Sequence, residues 1–376
     1  MVILGGIIGS ALSTNKAFAT LPLSMMVITI AATTIPAAML MKKVGRRKGF
    51  ALSSASAAVA LVLATLALKE SSFLIFNIAA MIFGINMAFT QQYRYAAAES
   101  VESRYVPRAI SLVLIGSIGA AFVGKELATR GQYWIADIQY AGTMILLSMM
   151  FVIQAILFFA MAPAKDYVDP GEPQSERSVG EIIRQPVFIV AVMGATAGVG
   201  LMTLIMTATP LSMHINNGYS LEQTADVIQV HMLGMYVPSL FAGFLIEKFG
   251  VLRIMFIGAL GLITTSIIGL QGHTVMHYWW ALLLLGIGWN FLFVGGTTML
   301  TYTYSMAERF RAQAVNEFLV FGASASASLL AGTVMYFFGW EKLMLIPIPL
   351  LMILCIVLIK IRSNPLLSQQ GHSNGR

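Results

Sequence analysis

Long apolar runs alternate with short polar clusters along the whole chain. A bilayer core of about 30 Å is crossed by roughly 20 mostly apolar residues in a helix. Runs such as 21–41, 50–68, 144–161 and 343–361 meet that length. The pattern predicts twelve helical segments, at about 1–13, 18–41, 49–68, 72–97, 109–128, 140–163, 187–212, 223–246, 252–271, 277–303, 313–338 and 341–362. Most connections between them are short. The longest, 163–186, carries Lys165, Asp166, Asp169, Pro170, Gly171, Glu172, Pro173 and Glu176. Polar and Pro-containing, it is expected to be a solvated linker between two halves. Residues 178–185 predict a short helix just ahead of segment seven.

Composition turns this pattern into a class. Hydrophobic residues are 58% of the 376 and charged residues 10%, against about 25% charged in a soluble domain. Mean hydropathy is +0.80. Such a chain has too little polar surface to cover a soluble globule, so an all-α polytopic membrane protein is expected. The one cysteine, Cys355, can form no internal disulfide. The apolar N-terminus lacks a basic n-region and does not read as a cleaved signal peptide.

The net charge of +7 raises nucleic acid as a partner, and the positions argue against it. With the loop after segment two placed in the cytoplasm, that side collects 17 Lys and Arg residues, the other side 5, and Arg94 stays inside a segment. Basic residues gather in cytoplasmic loops of membrane proteins. The charge therefore marks a membrane surface, with the C-terminus cytoplasmic. A bacterial plasma (inner) membrane is the expected location.

A weak internal repeat runs at about half the chain length. Gly84-x-Asn86-x-x-Phe89 matches Gly288-x-Asn290-x-x-Phe293 at an offset of 204. Arg108-Ala109 matches Arg311-Ala312, and Lys43-Val44-Gly45 matches Lys248-Phe249-Gly250, at offsets of 203 and 205. Three matches in one order at nearly one offset point to duplicated six-helix halves, as many transporters show.

The loop after segment two, Ala38-Met-Leu-Met-Lys42-Lys43-Val44-Gly45-Arg46-Arg47, resembles the G-x-L-A-D-R-x-G-R-R signature of the major facilitator superfamily. The second half echoes it as Gly243-Phe-Leu-Ile-Glu247-Lys248-Phe249-Gly250. The resemblance implies two pseudo-symmetric six-helix bundles, here 1–163 and 187–362, with a linker at 164–186 and a cytoplasmic tail at 363–376. It also implies a conformational role for Lys43, Gly45, Arg46, Arg47, Gly243, Glu247, Lys248 and Gly250. Topogenic basic charge is the competing reading of the same loops. Ala38 stands at the first Gly position and Lys42 at the Asp position, so a first-half latch must differ from the family's. Neither an Arg at Ala80 nor a Pro at Lys125 is present, so the drug/proton antiporter subgroup is not supported.

Segment one is short. Thirteen residues span roughly 20 Å at 1.5 Å each. Segment seven begins about 56 residues before its motif, and the same spacing would start segment one some 18 residues before Met1. A start site assigned late, or a truncated chain, is expected. The resemblance places segments one, four, seven and ten around the substrate pathway.

Polar groups inside a span are costly and so are candidates for function. Segment four offers Asn86, Gln91 and Arg94, with Gln91 and Arg94 on one helical face. Arg94 has three open readings: holding a substrate anion, pairing with an acid such as Glu317 or Glu99, or snorkelling to the surface. Segment ten offers Trp289 and Asn290 among Gly286, Gly288, Gly295 and Gly296, where helix packing equally explains the glycines. Proton coupling has three candidates: His231, which titrates near physiological pH, Glu317 and Asp226. A packed, hydrogen-bonded histidine is the competing reading of His231.

Gly119-Ala-Ala-Phe-Val-Gly124-Lys125 lacks the Ser or Thr and the strand that a phosphate loop needs. His273 and His277 lack a third metal ligand. No cofactor, metal or enzymatic activity is expected. The expected function is secondary transport of a small organic solute by alternating access, with protons as a coupling candidate and efflux of a metabolite or drug-like compound as the first reading. A nutrient or vitamin importer, and a non-transporting membrane sensor, are the alternatives. The expected partners are the solute and the lipid bilayer, with the chain a monomer.

Overall fold

The computed structural model describes residues 2–93, 96–97, 106–135, 137–161, 177–305 and 308–363. Every regular element among them is helical. Helices are the expected result, because a backbone in hydrocarbon must satisfy its polar groups within the segment. In chain order they are α1 (Val2–Leu12), α2 (Leu21–Val44), α3 (Arg46–Lys69), α4 (Phe73–Thr90), α5 (Val106–Gly131) and α6 (Ala141–Ala160). They continue with α7 (Val179–Ile183), α8 (Pro186–Pro210), α9 (Leu221–Tyr236), α10 (Ser239–Phe249), α11 (Val251–Gln271), α12 (Val275–Thr301), α13 (Arg309–Leu345) and α14 (Pro347–Lys360).

Among the described residues, eight stretches are long and apolar enough to cross a membrane, and α9 with α10 makes a ninth span bent by 42°. One of the eight, Arg311–Lys360, covers 50 residues and is broken at Gly339 (φ 76°), so it contains two spans. Adding the 11-residue α1 and the 26-residue α5 completes the twelve segments read from the hydropathy pattern. The short α7 sits where a helix was expected before segment seven. Ser178 caps it in a reciprocal capping box with Glu181, which satisfies two orphan donors at once.

Two compact units emerge from the contacts. The first holds residues 1–168, 207–229 and 328–337; the second holds 169–206, 230–327 and 338–376. Four of the boundaries fall inside helices, one in α8, one in α9 and two in α13.

In the first unit α3 packs between α4 and α6. Its inward face is small: Ser53, Ser54, Ala57, Ala60, Ala64 and Ala67 are buried. Small residues let helices approach closely where lipid gives no hydrophobic drive. Ser148 of α6 donates to the Ala58 carbonyl at 3.0 Å. The opposite face of α6 carries exposed Ile153, Ile156, Leu157 and Phe159, as a lipid-facing surface requires. In the second unit α11 packs against α12 and α14, and Trp340 donates its indole N–H to the Gly269 carbonyl at 2.9 Å.

The duplicated loops share a backbone conformation. Gly45 has φ 85°, ψ 151° and Gly250 has φ 86°, ψ 145°. This region is open essentially only to glycine. Each glycine therefore ends one helix and starts the next with no intervening loop.

Candidate functional site

The second unit concentrates the chemistry. Trp289 and Phe293 lie four residues apart on α12 and so share a face. Their rings stack with centroids 5.1 Å apart and planes 9° from parallel. They pack on Ala195 and Val199 of α8 and Val320 of α13. A hydrogen bond of 2.8 Å between the Thr203 and Ser324 hydroxyls joins α8 to α13 beside them. Trp289 Nε1 is shielded from solvent and has no hydrogen-bond partner among the described residues. A buried donor without an acceptor is uncommon and marks a place where a ligand or water can bond.

One residue further, Asn290 points at the bend between α9 and α10. The bend falls at Pro238, which has no N–H to continue the helical ladder. Asn290 Nδ2 donates to the Met235 carbonyl at 2.9 Å and to the Ser239 hydroxyl. The Asn290 amide donor is thus committed to bracing the bend. Its carbonyl oxygen has no partner among the described residues. His231 is fully buried one turn before Met235. Its Nδ1 meets the Leu282 carbonyl at 2.9 Å, while Nε2 has no partner among the described residues. Close approach of α9 and α12 makes this possible, since a Cβ on Gly286 would stand 2.6 Å from the His231 carbonyl oxygen. Trp289 Nε1, Asn290 Oδ1 and His231 Nε2 are thus each buried and without a hydrogen-bond partner among the described residues. Glu317 is half-buried near the start of α13.

In the first unit Asn86 is buried, with its amide 3.5 Å from the Ser53 hydroxyl and its carbonyl oxygen unpartnered among the described residues. Gln91 is the C-cap of α4. Arg94 lies outside the described residues, as does Glu99. Lys125 on α5 forms an ion pair with Asp226 on α9, the lysine side chain being 21% exposed. Alongside, the Ser24 and Ser328 hydroxyls lie 3.0 Å apart, and Thr20 donates to the Ser328 carbonyl and accepts from the Gly332 N–H, both at 3.2 Å. These contacts hold residues 207–229 and 328–337 against α2 and α5 within one unit. Asp226, one of the proton candidates, is thus the acid that faces Lys125.

The basic loops are anchored by backbone. Arg46 donates to the Gln92 carbonyl at 3.4 Å, and Arg47 to the Met161 carbonyl at 3.2 Å while lying 5.7 Å from the Phe159 ring centroid. Lys43 is exposed. In the second half Lys248 lies over Phe244 and Phe249, and Glu247 and Gly243 are exposed.

One cluster went unread in the sequence. Glu308, 1% exposed, accepts from Arg177 Nε at 2.8 Å, Arg177 Nη2 at 2.7 Å and the Arg177 backbone N–H at 2.7 Å. It also accepts from the Ser305 N–H at 2.9 Å, while Arg177 Nη2 and Gln185 both donate to the Thr303 carbonyl. The Arg177 guanidinium and these backbone donors hold the Glu308 carboxyl well below the usual carboxylate range. The cluster ties the chain ahead of α7 to the turn between α12 and α13. The two residues are 131 positions apart and carry no local signature.

Comparison with known proteins fits this architecture. The family profile of the Major Facilitator Superfamily matches residues 1–225 and 200–375. A riboflavin transporter, RfnT of Brucella anthropi, is 36% identical over 360 residues, covering 96% of this chain and 90% of the relative. An uncharacterized MFS-type transporter of Bacillus subtilis, YdeG, is 25% identical over 89% of this chain and 81% of its own. Among solved structures, the nucleoside transporter NupG aligns with a TM-score of 0.68 at 13% identity, covering 96% of this chain and 94% of that one. The xylose transporter XylE of E. coli, in a partially occluded inward-open conformation, aligns with a TM-score of 0.71 at 10% identity, covering 96% and 93%. At these identities the structures speak for the fold alone. The chain is an integral, multi-pass membrane protein, and it belongs to the major facilitator superfamily of transporters.

Proposed function

We propose that this transporter carries riboflavin or a closely related flavin, taking it up across the bacterial plasma membrane. This adopts the vitamin-importer reading over efflux. The observation that carries it is the 36% identity with a riboflavin transporter across 96% of the chain. The site chemistry agrees. An isoalloxazine is flat, aromatic and rimmed with carbonyls and ring nitrogens. The Trp289–Phe293 pair supplies an aromatic surface, and Trp289 Nε1 supplies a buried donor. Asn290 Oδ1 supplies an acceptor suited to a ring imide N–H. Asn86 and Gln91 are assigned to the first-half side of the pathway.

The Lys125–Asp226 pair is assigned to a gate on the side opposite the basic loops, which opens when the pair parts. His231 and Glu317 remain the assigned proton carriers. His231 enters through its unpartnered Nε2, its Nδ1 being held by the Leu282 carbonyl.

The test is riboflavin binding and uptake by Trp289→Ala and Trp289→Phe. Loss of stacking is worth about 0.5–1.5 kcal/mol, or roughly 2- to 13-fold in affinity. Trp289→Ala is expected to weaken riboflavin binding by that factor, and Trp289→Phe by less. Equal affinity of wild type and Trp289→Ala would refute the placement of the flavin on this face.

A further inference from the structure

A cleft lined by none of the residues assigned to the solute lies at the basic end of the second unit. It has a volume of about 510 Å³ and lies between the start of α11 and the end of α14. Arg253 and Arg362 both line it. Both are exposed, and no acid among the described residues pairs with either. Gly250 and the first turn of α11 form the same rim. The first backbone N–H groups of a helix lack intrahelical acceptors and favour anions.

The rest of the lining is apolar: Phe256, Ile257, Leu358 and Ile359. Leu358 is buried and forms the floor, whereas Ile257 and Ile359 are 51% and 62% exposed. In a membrane-spanning chain such exposed aliphatic surface faces acyl chains. A positive rim above an apolar wall matches one kind of molecule, with an anionic head and hydrocarbon directly attached. The volume falls within the ~300–1,000 Å³ range of small-molecule sites. Basic pockets between helices at the cytoplasmic surface suit anionic headgroups.

We propose that this cleft binds an anionic phospholipid, its phosphate between Arg253, Arg362 and the start of α11, and its upper acyl chains against Ile257, Leu358 and Ile359. A free phosphate would use the rim but gain nothing from the wall. The site is independent of which solute the protein carries.

The experiment uses the full chain, purified in detergent and stripped of lipid. Phosphatidylglycerol, phosphatidylcholine and inorganic phosphate are titrated separately, with bound lipid counted by native mass spectrometry and the thermal midpoint followed in parallel. Phosphatidylglycerol is expected to bind preferentially and to raise the midpoint, with phosphatidylcholine and phosphate far weaker. Arg253→Gln with Arg362→Gln is expected to weaken phosphatidylglycerol about 30-fold, from five- to sixfold for each basic residue near a membrane surface. Arg362→Gln alone is the reserve variant should the double fail to fold, and is expected to lose five- to sixfold. Leu358→Trp, which keeps both arginines but fills the floor, is expected to weaken the lipid and leave phosphate unchanged. Unchanged phosphatidylglycerol binding in the arginine variants, equal binding of phosphatidylcholine, or equal stabilisation by inorganic phosphate would each overturn the proposal.

Discussion

Removing the Arg177 side chain strands the Glu308 carboxylate. In the native protein Glu308 is 1% exposed and accepts two hydrogen bonds from the guanidinium, at 2.8 and 2.7 Å. Arg177→Ala deletes both and leaves only the backbone N–H groups of Arg177 and Ser305. Hydrogen bonds to a charged group are worth about 1.5–3 kcal/mol each. Breaking a buried pair by removing one partner costs about 3–5 kcal/mol. The Arg177 side chain is 46% exposed, so solvent screening lowers both figures. We expect about 2–4 kcal/mol of destabilisation. At about 2–4 °C per kcal/mol for a unit of this size, the midpoint falls by at least about 4 °C. Cys355, the one cysteine of the sequence, lies on α14 of the same unit and reports unfolding through a thiol-reactive dye. Arg177→Ala combined with Glu308→Gln should be more stable than Arg177→Ala alone, because the second change removes the stranded charge. A loss below about 1 kcal/mol, or a double variant no better than the single, would refute the idea that this pair clamps the linker to the α12–α13 turn. The carboxyl is held below its ordinary value of 4.5, so its contribution is complete above that pH and fades as the pH falls further. The wild type should therefore lose stability below about pH 4.5 relative to Arg177→Ala, whose carboxyl is nearer its ordinary value.

Three other outcomes are expected. Gly45→Ala and Gly250→Ala each force a side chain into a glycine-only region at about 1–3 kcal/mol, read as a lower midpoint; an unchanged midpoint in both would contradict the φ values of 85° and 86°. Asp226→Asn removes the charge facing Lys125 and should raise labelling of cysteines introduced near the tips of α5 and α9 several-fold, whereas the exchanged pair Lys125→Asp with Asp226→Lys should restore protection; equal labelling in all three proteins would remove the gate. His231→Gln with Glu317→Gln should flatten the pH dependence of flux, and an unaltered pH profile would defeat both as proton carriers.

What was legible in the sequence was local. Span length and apolar character are summed over consecutive residues, so the helices could be read directly. The Gly45 and Gly250 turns were legible because duplication wrote the same short motif twice. Trp289 and Asn290 stood out as polar or aromatic groups in a Gly-rich span, and each carries one buried polar atom without a partner among the described residues. The division of labour within Asn290 was not legible. Its donor is consumed by the bend at Pro238, a tertiary contact 51 to 55 residues away. Long-range charge pairing was equally hidden. Arg177 counted only as one of the cytoplasmic basic residues, Lys125 as one of those on the other side and Asp226 as a proton candidate; the pairs Arg177–Glu308 and Lys125–Asp226 appear only in the folded chain. The grouping of 207–229 and 328–337 with the first unit likewise depends on contacts such as Ser24–Ser328, about which no hydropathy pattern carries information.

The proposed flavin transport has a decisive assay: riboflavin flux into proteoliposomes containing the purified, monodisperse protein, with protein-free liposomes beside them. The expected result is saturable riboflavin uptake that unlabelled riboflavin competes away and that Trp289→Ala weakens. Riboflavin flux and binding no greater than in protein-free liposomes, from protein that unfolds cooperatively, would contradict it.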